Sequence, residues 1–145
     1  MRRMILIAHE SKLNDMIEWV RSRRRELSEV EIHATRSTGE KVAEVTGLPV
    51  KLLPDGGDDA VREMIENGLV DMVLFLWHPR SPQPHEIDVE ALLRLTYLHD
   101  VPTALNTWTA DFFFSSLRKG ARGIGAGSQY AEWPAFRTGL RLRRL

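Results

Sequence analysis

LFLWHPRSPQPHEIDVEALLRL, residues 74–95, is the stretch that decides the fold. With Met72 and Val73 ahead of it, its head is an apolar run ending at Trp77. Three prolines, Pro79, Pro82 and Pro84, then break any regular structure, and Val89, Leu92, Leu93 and Leu95 resume at helical spacing. A short unbroken apolar run suits a strand covered on both faces, so the stretch reads as strand, stiff loop and helix. In open α/β sheets the loops at strand C-terminal ends hold ligands. This loop carries His85, Glu86 and Asp88. Pro84 fixes its own φ and helps to hold His85 in place. An imidazole and a carboxylate three residues apart, at the mouth of a helix, suit proton transfer or the polarisation of a carbonyl. The plainer alternative is that Asp88 caps the helix and His85 is a surface residue.

Working outward, the same unit recurs. Met4 to Ala8 reads as a buried strand ending at His9 and Glu10, followed by a helix over 11–27 with Leu13, Met16, Ile17, Val20 and Leu27 on one face and Ser11 as N-cap. Its late arginines, Arg21 and Arg23 to Arg25, complement the helix dipole or form a solvated end. Val30 to Thr35 alternates into a second strand. The turn Arg36-Ser37-Thr38-Gly39 and a helix from Glu40 to its stop at Gly47 follow. Hydroxyls and backbone N–H groups at Thr35, Ser37, Thr38 and Gly39 would face a positive helix end, a pattern suited to phosphate. An ordinary cap at Ser37 or Thr38 is the alternative. Leu48 to Leu53 is a third strand. Gly56 and Gly57 open conformations closed to other residues, so Asp58 can be set against a ligand, or Asp58 or Asp59 can simply cap the helix over 59–68. Val101 to Leu105 is a fifth strand, followed by a helix over 106–117. The GIGAG segment at 123–127 lacks the strand-before, helix-after setting of a dinucleotide site.

Composition bounds the reading. The 145 residues amount to one domain on the ~100–200-residue expectation. An apolar fraction of 43% is that of an ordinary soluble domain. No run approaches the ~18 apolar residues of a membrane span, and the N-terminus reads as a strand, not a signal peptide. The absence of cysteine excludes disulfides, thiol catalysis and cysteine-held metals. With 20 basic and 20 acidic residues there is no global field suited to nucleic acid. Alternating strands and helices predict one α/β sandwich with a mostly parallel five-stranded sheet.

Six segments then stand in one order: AHE at 8–10, ATRSTG at 34–39, TGLPV at 46–50, GGDD at 56–59, QPHEIDVEALLRL at 83–95 and VPTALNTWTAD at 101–111. Together they resemble methylglyoxal synthases over about residues 4–115. The resemblance implies a single domain spanning 1–145 with a flavodoxin-like three-layer fold, in a cytoplasmic homohexamer. It implies conversion of dihydroxyacetone phosphate to methylglyoxal and inorganic phosphate, with no metal or organic cofactor. It assigns the proton-abstracting base to Asp58 in the glycine turn, the carbonyl-side histidine to His85, the assisting aspartate to Asp88, and the histidine ending strand one to His9. Lys12, Thr35, Arg36, Ser37, Thr38 and Gly57 make the implied substrate and phosphate site.

The chain also departs from the family pattern. Arg36 stands where the family has a glycine, and the segment before the glycine turn is shorter and lacks Ser-Gly. His78 occupies the position of an aspartate after strand four, Glu10 that of an aspartate, and Lys12 comes one position early. Arg137 is the nearest candidate for an arginine that reaches a neighbouring subunit. Arg36 either turns into the pocket as a phosphate ligand or pairs with an acidic neighbour. Two functions therefore stand: a phosphate-eliminating lyase, favoured by Asp58, His85 and Asp88 together, and a non-catalytic binding or regulatory module for a phosphorylated metabolite, favoured by the altered phosphate turn.

Overall fold

The computed structural model describes residues 2–55, 57–78, 80 and 88–119, the side chains of 116–119 apart. Five strands, β1 (Arg2–Ala8), β2 (Val30–Ala34), β3 (Val50–Leu52), β4 (Met72–Leu76) and β5 (Thr103–Ala104), form one sheet in the order β3-β2-β1-β4-β5. Every neighbouring pair is parallel. The helices are α1 (Leu13–Ser22), α2 (Arg24–Leu27), α3 (Arg36–Thr46), α4 (Asp58–Glu66), α5 (Val89–Leu98) and α6 (Thr107–Lys119). The predicted α/β layering and parallel sheet are present. The strand order is 3-2-1-4-5, where flavodoxin itself has 2-1-3-4-5.

The two most apolar strands are the two central ones. Met4 to Ile7 of β1 and all of β4 are buried, because both strands have neighbours at each edge and helices on each face. Ile5 and Ile7 lie in register with Val73 and Phe75, and these four pack with Val61 and Ile65 of α4 and Leu92 of α5. Alternation sends Met4, Leu6, Met72 and Leu74 to the other face. There Gly39 of α3 lies against Ala34, the register partner of Leu6, and α1 packs on α3. A Cβ on Gly39 would collide with Leu52 Cδ2 and crowd Ala34 Cβ and Val50 Cγ1, both at 3.2 Å. That glycine is what lets α3 lie close on β2 and β3.

The chain runs from β1 outward to β3, then crosses to β4 on the other side of β1. Right-handed crossovers then require α1 and α3 on one face and α4 and α5 on the other, as observed. The direction reverses between β1 and β4, so their C-terminal ends form the crevice where such sheets hold ligands.

Several local expectations are corrected. The helix over 11–27 is broken into a 3₁₀ turn, Glu10–Lys12, then α1 and α2, with Arg23 at φ −118° and ψ 21° between the helices. Ser11 is not the cap. Its own N–H donates to His9 Nδ1 at 3.0 Å, because His9, extended at φ −59° and ψ 148°, folds its ring back over the turn. Helix α3 starts at Arg36, not Glu40, with Thr35 as N-cap, so the anticipated turn is its first turn. Gly47 ends it in the left-handed region at φ 71°, as expected. Arg24, read as a dipole-complementing or solvated residue, donates from Nε to the Thr46 carbonyl at the end of α3 at 2.6 Å. The N-cap of α4 is Gly57, not Asp58 or Asp59.

The chain forms two compact units, up to Thr107 and from Trp108. The first holds the sheet. Of the second, the described part is the body of α6. The GIGAG segment and Arg137 lie outside the described residues.

Candidate active site

The loops at the C-terminal sheet edge can be built up one side chain at a time. After β3 the chain turns through Pro54 to Gly57, whose N–H donates to the Pro54 carbonyl at 2.9 Å. Gly57 has φ 48°, in the left-handed region that glycine tolerates, and this sets Asp58 as the first residue of α4. Asp58 makes no N-cap bond. Its Oδ1 is buried and has no hydrogen-bond partner among the described residues. Burial is the main cause of a raised pKa relative to its ordinary 3.8, and the charges of Asp88 and Asp59 push the same way. A backbone N–H of Asp88 and the charge of Arg62 pull against it. Asp58 is thus half-buried, with one buried and unsatisfied oxygen, and is harder to ionise than usual, the kind of environment in which proton-transferring carboxylates are found.

Asp88 is the N-cap of α5, its Oδ1 accepting from the Ala91 N–H at 3.1 Å. The capping alternative therefore holds for Asp88, and the cap is also what fixes this carboxylate beside Asp58. The two residues line a groove of about 220 Å³ together with Val61, Arg62 and Glu66 of α4 and Ala91, Leu92 and Leu95 of α5.

On the other face of the sheet the start of α3 is tied to β1. Thr38 is fully buried, and its Oγ1 accepts from the Ala8 N–H at 3.0 Å and from the Thr35 hydroxyl at 3.1 Å. Its own proton is directed to the Ala8 carbonyl at 3.5 Å. That hydroxyl is already engaged, so Thr38 can offer an anion only its backbone N–H. Thr35 makes no side-chain cap bond, and the N–H groups of the first turn, Arg36 to Thr38, have no intrahelical acceptors. Ser37 is exposed beside them. Arg36 pairs with acidic neighbours: Nε donates to Asp55 Oδ1 at 2.8 Å and Nη1 reaches Glu40 Oε1 at 3.5 Å. Asp55 is the main reason its pKa is raised further. Of the two placements considered for Arg36, this is the second.

Between these halves stand two imidazoles. His9 follows β1 and is buried, its N–H bonded to the Leu76 carbonyl at 2.7 Å. His78 follows β4 and is half-buried, and the ring centroids are 5.6 Å apart at a 41° tilt. Lys12 ends the 3₁₀ turn with Nζ 3.9 Å from Asp15. The described residues thus bring His9 and Lys12, Thr35 to Thr38, and Asp58 with Asp88 to one sheet edge. His85 lies outside them. The contact between His78 and His9 and the engagement of Thr38 by β1 had no signal in residue spacing, since both depend on which strands are neighbours.

A family model described as the MGS-like domain matches residues 15–105. Methylglyoxal synthase from Leptospira interrogans is 42% identical over 118 residues, covering 79% of this chain and 80% of its own. The chain belongs to the methylglyoxal synthase family. Methylglyoxal synthase from Acholeplasma laidlawii is 43% identical over 119 residues, which cover 80% of this chain and 98% of the relative. The crystal structure of methylglyoxal synthase from Elizabethkingia anophelis NUHP1 superposes with a TM-score of 0.74 at 36% identity, covering 79% of this chain and 77% of that one. Within the methylglyoxal synthase family match fall α3 with its first turn, Asp58 and Asp88, while His9 and Lys12 lie just before it.

Proposed function

We propose that the protein is a carbon–oxygen lyase that converts dihydroxyacetone phosphate to methylglyoxal and inorganic phosphate. The observation that carries this reading is the buried Asp58 oxygen, without a partner among the described residues, on a glycine-set turn in a chain whose relatives are named methylglyoxal synthase. Asp58 takes a proton from the hydroxymethyl carbon, and the C–H electron pair forms a C=C bond while the ketone becomes an enediolate. Once the proton has shifted between its two oxygens, the terminal oxygen re-forms a carbonyl. The double bond moves along and the C–O bond to phosphate breaks. The enol left behind takes up a proton to give the methyl group of methylglyoxal.

Each step makes a demand on the site. The enediolate needs N–H donors at its oxygen, the role proposed for His9 and His85. Leaving phosphate needs the N–H groups of the α3 first turn, Thr35, Ser37 and Lys12, with Gly57 allowing close approach. Asp88 keeps Asp58 in place and raises its basicity. Arg36, held by Asp55 and Glu40, contributes its charge at a distance. The rest of the reading is a single functional domain over 1–145, acting in the cytoplasm as a homohexamer with no metal or organic cofactor. Among the described residues no helix is long and apolar enough to cross a membrane.

The Arg36 pairing also favours a second reading, a binding module for a phosphorylated metabolite, because it leaves the phosphate turn short of cationic ligands. One assay separates the two. Purified protein supplied with dihydroxyacetone phosphate releases methylglyoxal and phosphate in equal amounts if it is the lyase, and neither if it is the module.

A further inference from the structure

We infer that His78 is a further catalytic residue of this chain, donating from Nε2–H, beside His9, to the oxygen that becomes negative as Asp58 removes the proton. The inference rests on the proposed lyase reading and adds a group to its site.

The first ground is place. His78 and His9 follow β4 and β1, the two strands between which the sheet reverses direction, and the His9 N–H bond to Leu76 at 2.7 Å draws their loops together. Anchored on one side is the first turn of α3, through Thr38. On the other face are the helix starts that carry Asp58 and Asp88. A short ligand reaching from helix-end N–H groups to the carboxylate passes the two rings.

The second ground is the proton on each ring. His78 Nδ1 accepts the backbone N–H of Arg80 at 3.2 Å, and His9 Nδ1 accepts the backbone N–H of Ser11 at 3.0 Å, with the Ser11 hydroxyl, which can donate to the same lone pair, at 2.7 Å. A backbone N–H only donates, so each Nδ1 carries a lone pair. The proton of each neutral ring is therefore on Nε2, an assignment that follows from the partner. With the ring centroids 5.6 Å apart, His78 thus presents its outer-nitrogen donor beside the His9 ring. Paired donors at a site of developing negative charge are what an oxyanion needs.

The third ground is the chemistry left undone. Proton removal by one carboxylate next to another builds negative charge where negative charge already stands. Of the cations described near this edge, Arg36 is paired with Asp55 and Glu40, Lys12 stands 3.9 Å from Asp15 on the proposed phosphate side, and Arg62 lies on the carboxylate side, where it lines the groove with Asp58. His78 is half-buried, so a ligand can reach it.

The test uses His78→Phe, which keeps a ring and removes the donor, and His78→Gln, whose amide restores an N–H. We expect His78→Phe to lower kcat by about 10²–10³-fold, the usual loss for one oxyanion donor. The KM for dihydroxyacetone phosphate and the affinity for inorganic phosphate should stay near wild type, and His78→Gln should recover part of kcat. Unchanged kcat in His78→Phe, or phosphate affinity falling as far as kcat, overturns the inference. If His78→Phe does not fold, labelled wild-type protein decides. The His78 Nε2 resonance should move on binding a planar phosphorylated hydroxamate, which carries an enolate-like oxygen, and not on binding phosphate alone. A resonance that ignores the hydroxamate overturns it. Wild-type turnover matched by His78→Phe defeats this inference alone, whereas wild-type protein that releases neither product defeats it together with the lyase reading.

Discussion

Asp58 and Thr38 are both threaded through the sheet edge, and they differ in what their polar atoms touch. Asp58 has a buried oxygen with no partner among the described residues, and its folded pKa is raised chiefly by burial. The ionised form is therefore disfavoured in the fold. That penalty is present above the folded pKa and is relieved as pH falls through it towards the unfolded value, so this group contributes stability on acidification. Asp58→Asn removes the penalty at neutral pH, so its Tm should match or exceed wild type while turnover falls by about 10²–10⁴-fold, the usual worth of a general base. A lowered Tm would make Asp58 structural. The acid limb of kcat/KM should also lie above 3.8, the ordinary aspartate value, because the base works only when ionised. Thr38 is the opposite case, a hydroxyl fully occupied by Ala8 and Thr35. Thr38→Val keeps the shape and leaves the Ala8 N–H buried without an acceptor. It should destabilise the protein by about 1–3 kcal/mol in chemical denaturation, and Thr38→Ser should restore most of it.

At the scale of elements, α3 decides how the proposed phosphate end of the site is built. It lies close on β2 and β3 only because residue 39 has no side chain. Leu52 is half exposed and can swing away from an added Cβ, but Ala34 and Val50 at 3.2 Å cannot both yield to a branched one. Gly39→Val should therefore cost about 1–3 kcal/mol by overpacking, read as a lower denaturation midpoint with an unchanged slope. An unchanged midpoint would mean that α3 has room to move. The same helix begins with Arg36, whose guanidinium is bound to the turn that carries Asp58. Arg36→Ala should leave inorganic phosphate affinity close to wild type by calorimetric titration, since its donors are already turned to Asp55. A tenfold loss, or about 1.4 kcal/mol, would return Arg36 to the phosphate site.

At the scale of the whole molecule, the reversal of strand order between β1 and β4 assembles the site. It puts the start of α3, the proposed phosphate end, on one face, the two carboxylates on the other and the imidazoles at the sheet edge between them. The proposed homohexamer belongs to this scale as well. Trp108 and Phe112, one turn apart on α6, are 87% and 71% exposed, and an apolar pair so open to water is what subunit contacts cover. Light scattering in solution should give six times the chain mass of 16.6 kDa, and a monomer at working concentration would overturn the assembly.

The residues alone determined the alternation of strands and helices, the parallel sheet and the ends of several elements. Period, apolar runs and glycine are local signals: the unbroken Met72 to Leu76 run required a strand covered on both faces, and Gly47 had to end a helix. The ordered segments from Ala8 to Asp111 were enough to indicate the family as well. Tertiary structure alone decided which strands are neighbours, and with that everything whose partners are distant in the chain. It turned Arg36 to Asp55 rather than into the pocket, and engaged the Thr38 hydroxyl on β1, 30 residues away. It made His9 the cap of its own turn and brought it against His78. It also left one oxygen of Asp58 buried without a partner among the described residues. Spacing along a chain carries the energetics of one turn or one strand. A carboxylate with one buried oxygen, a shared hydroxyl and a pair of imidazoles depend on the sum of several elements meeting, and that sum is not written in any one of them.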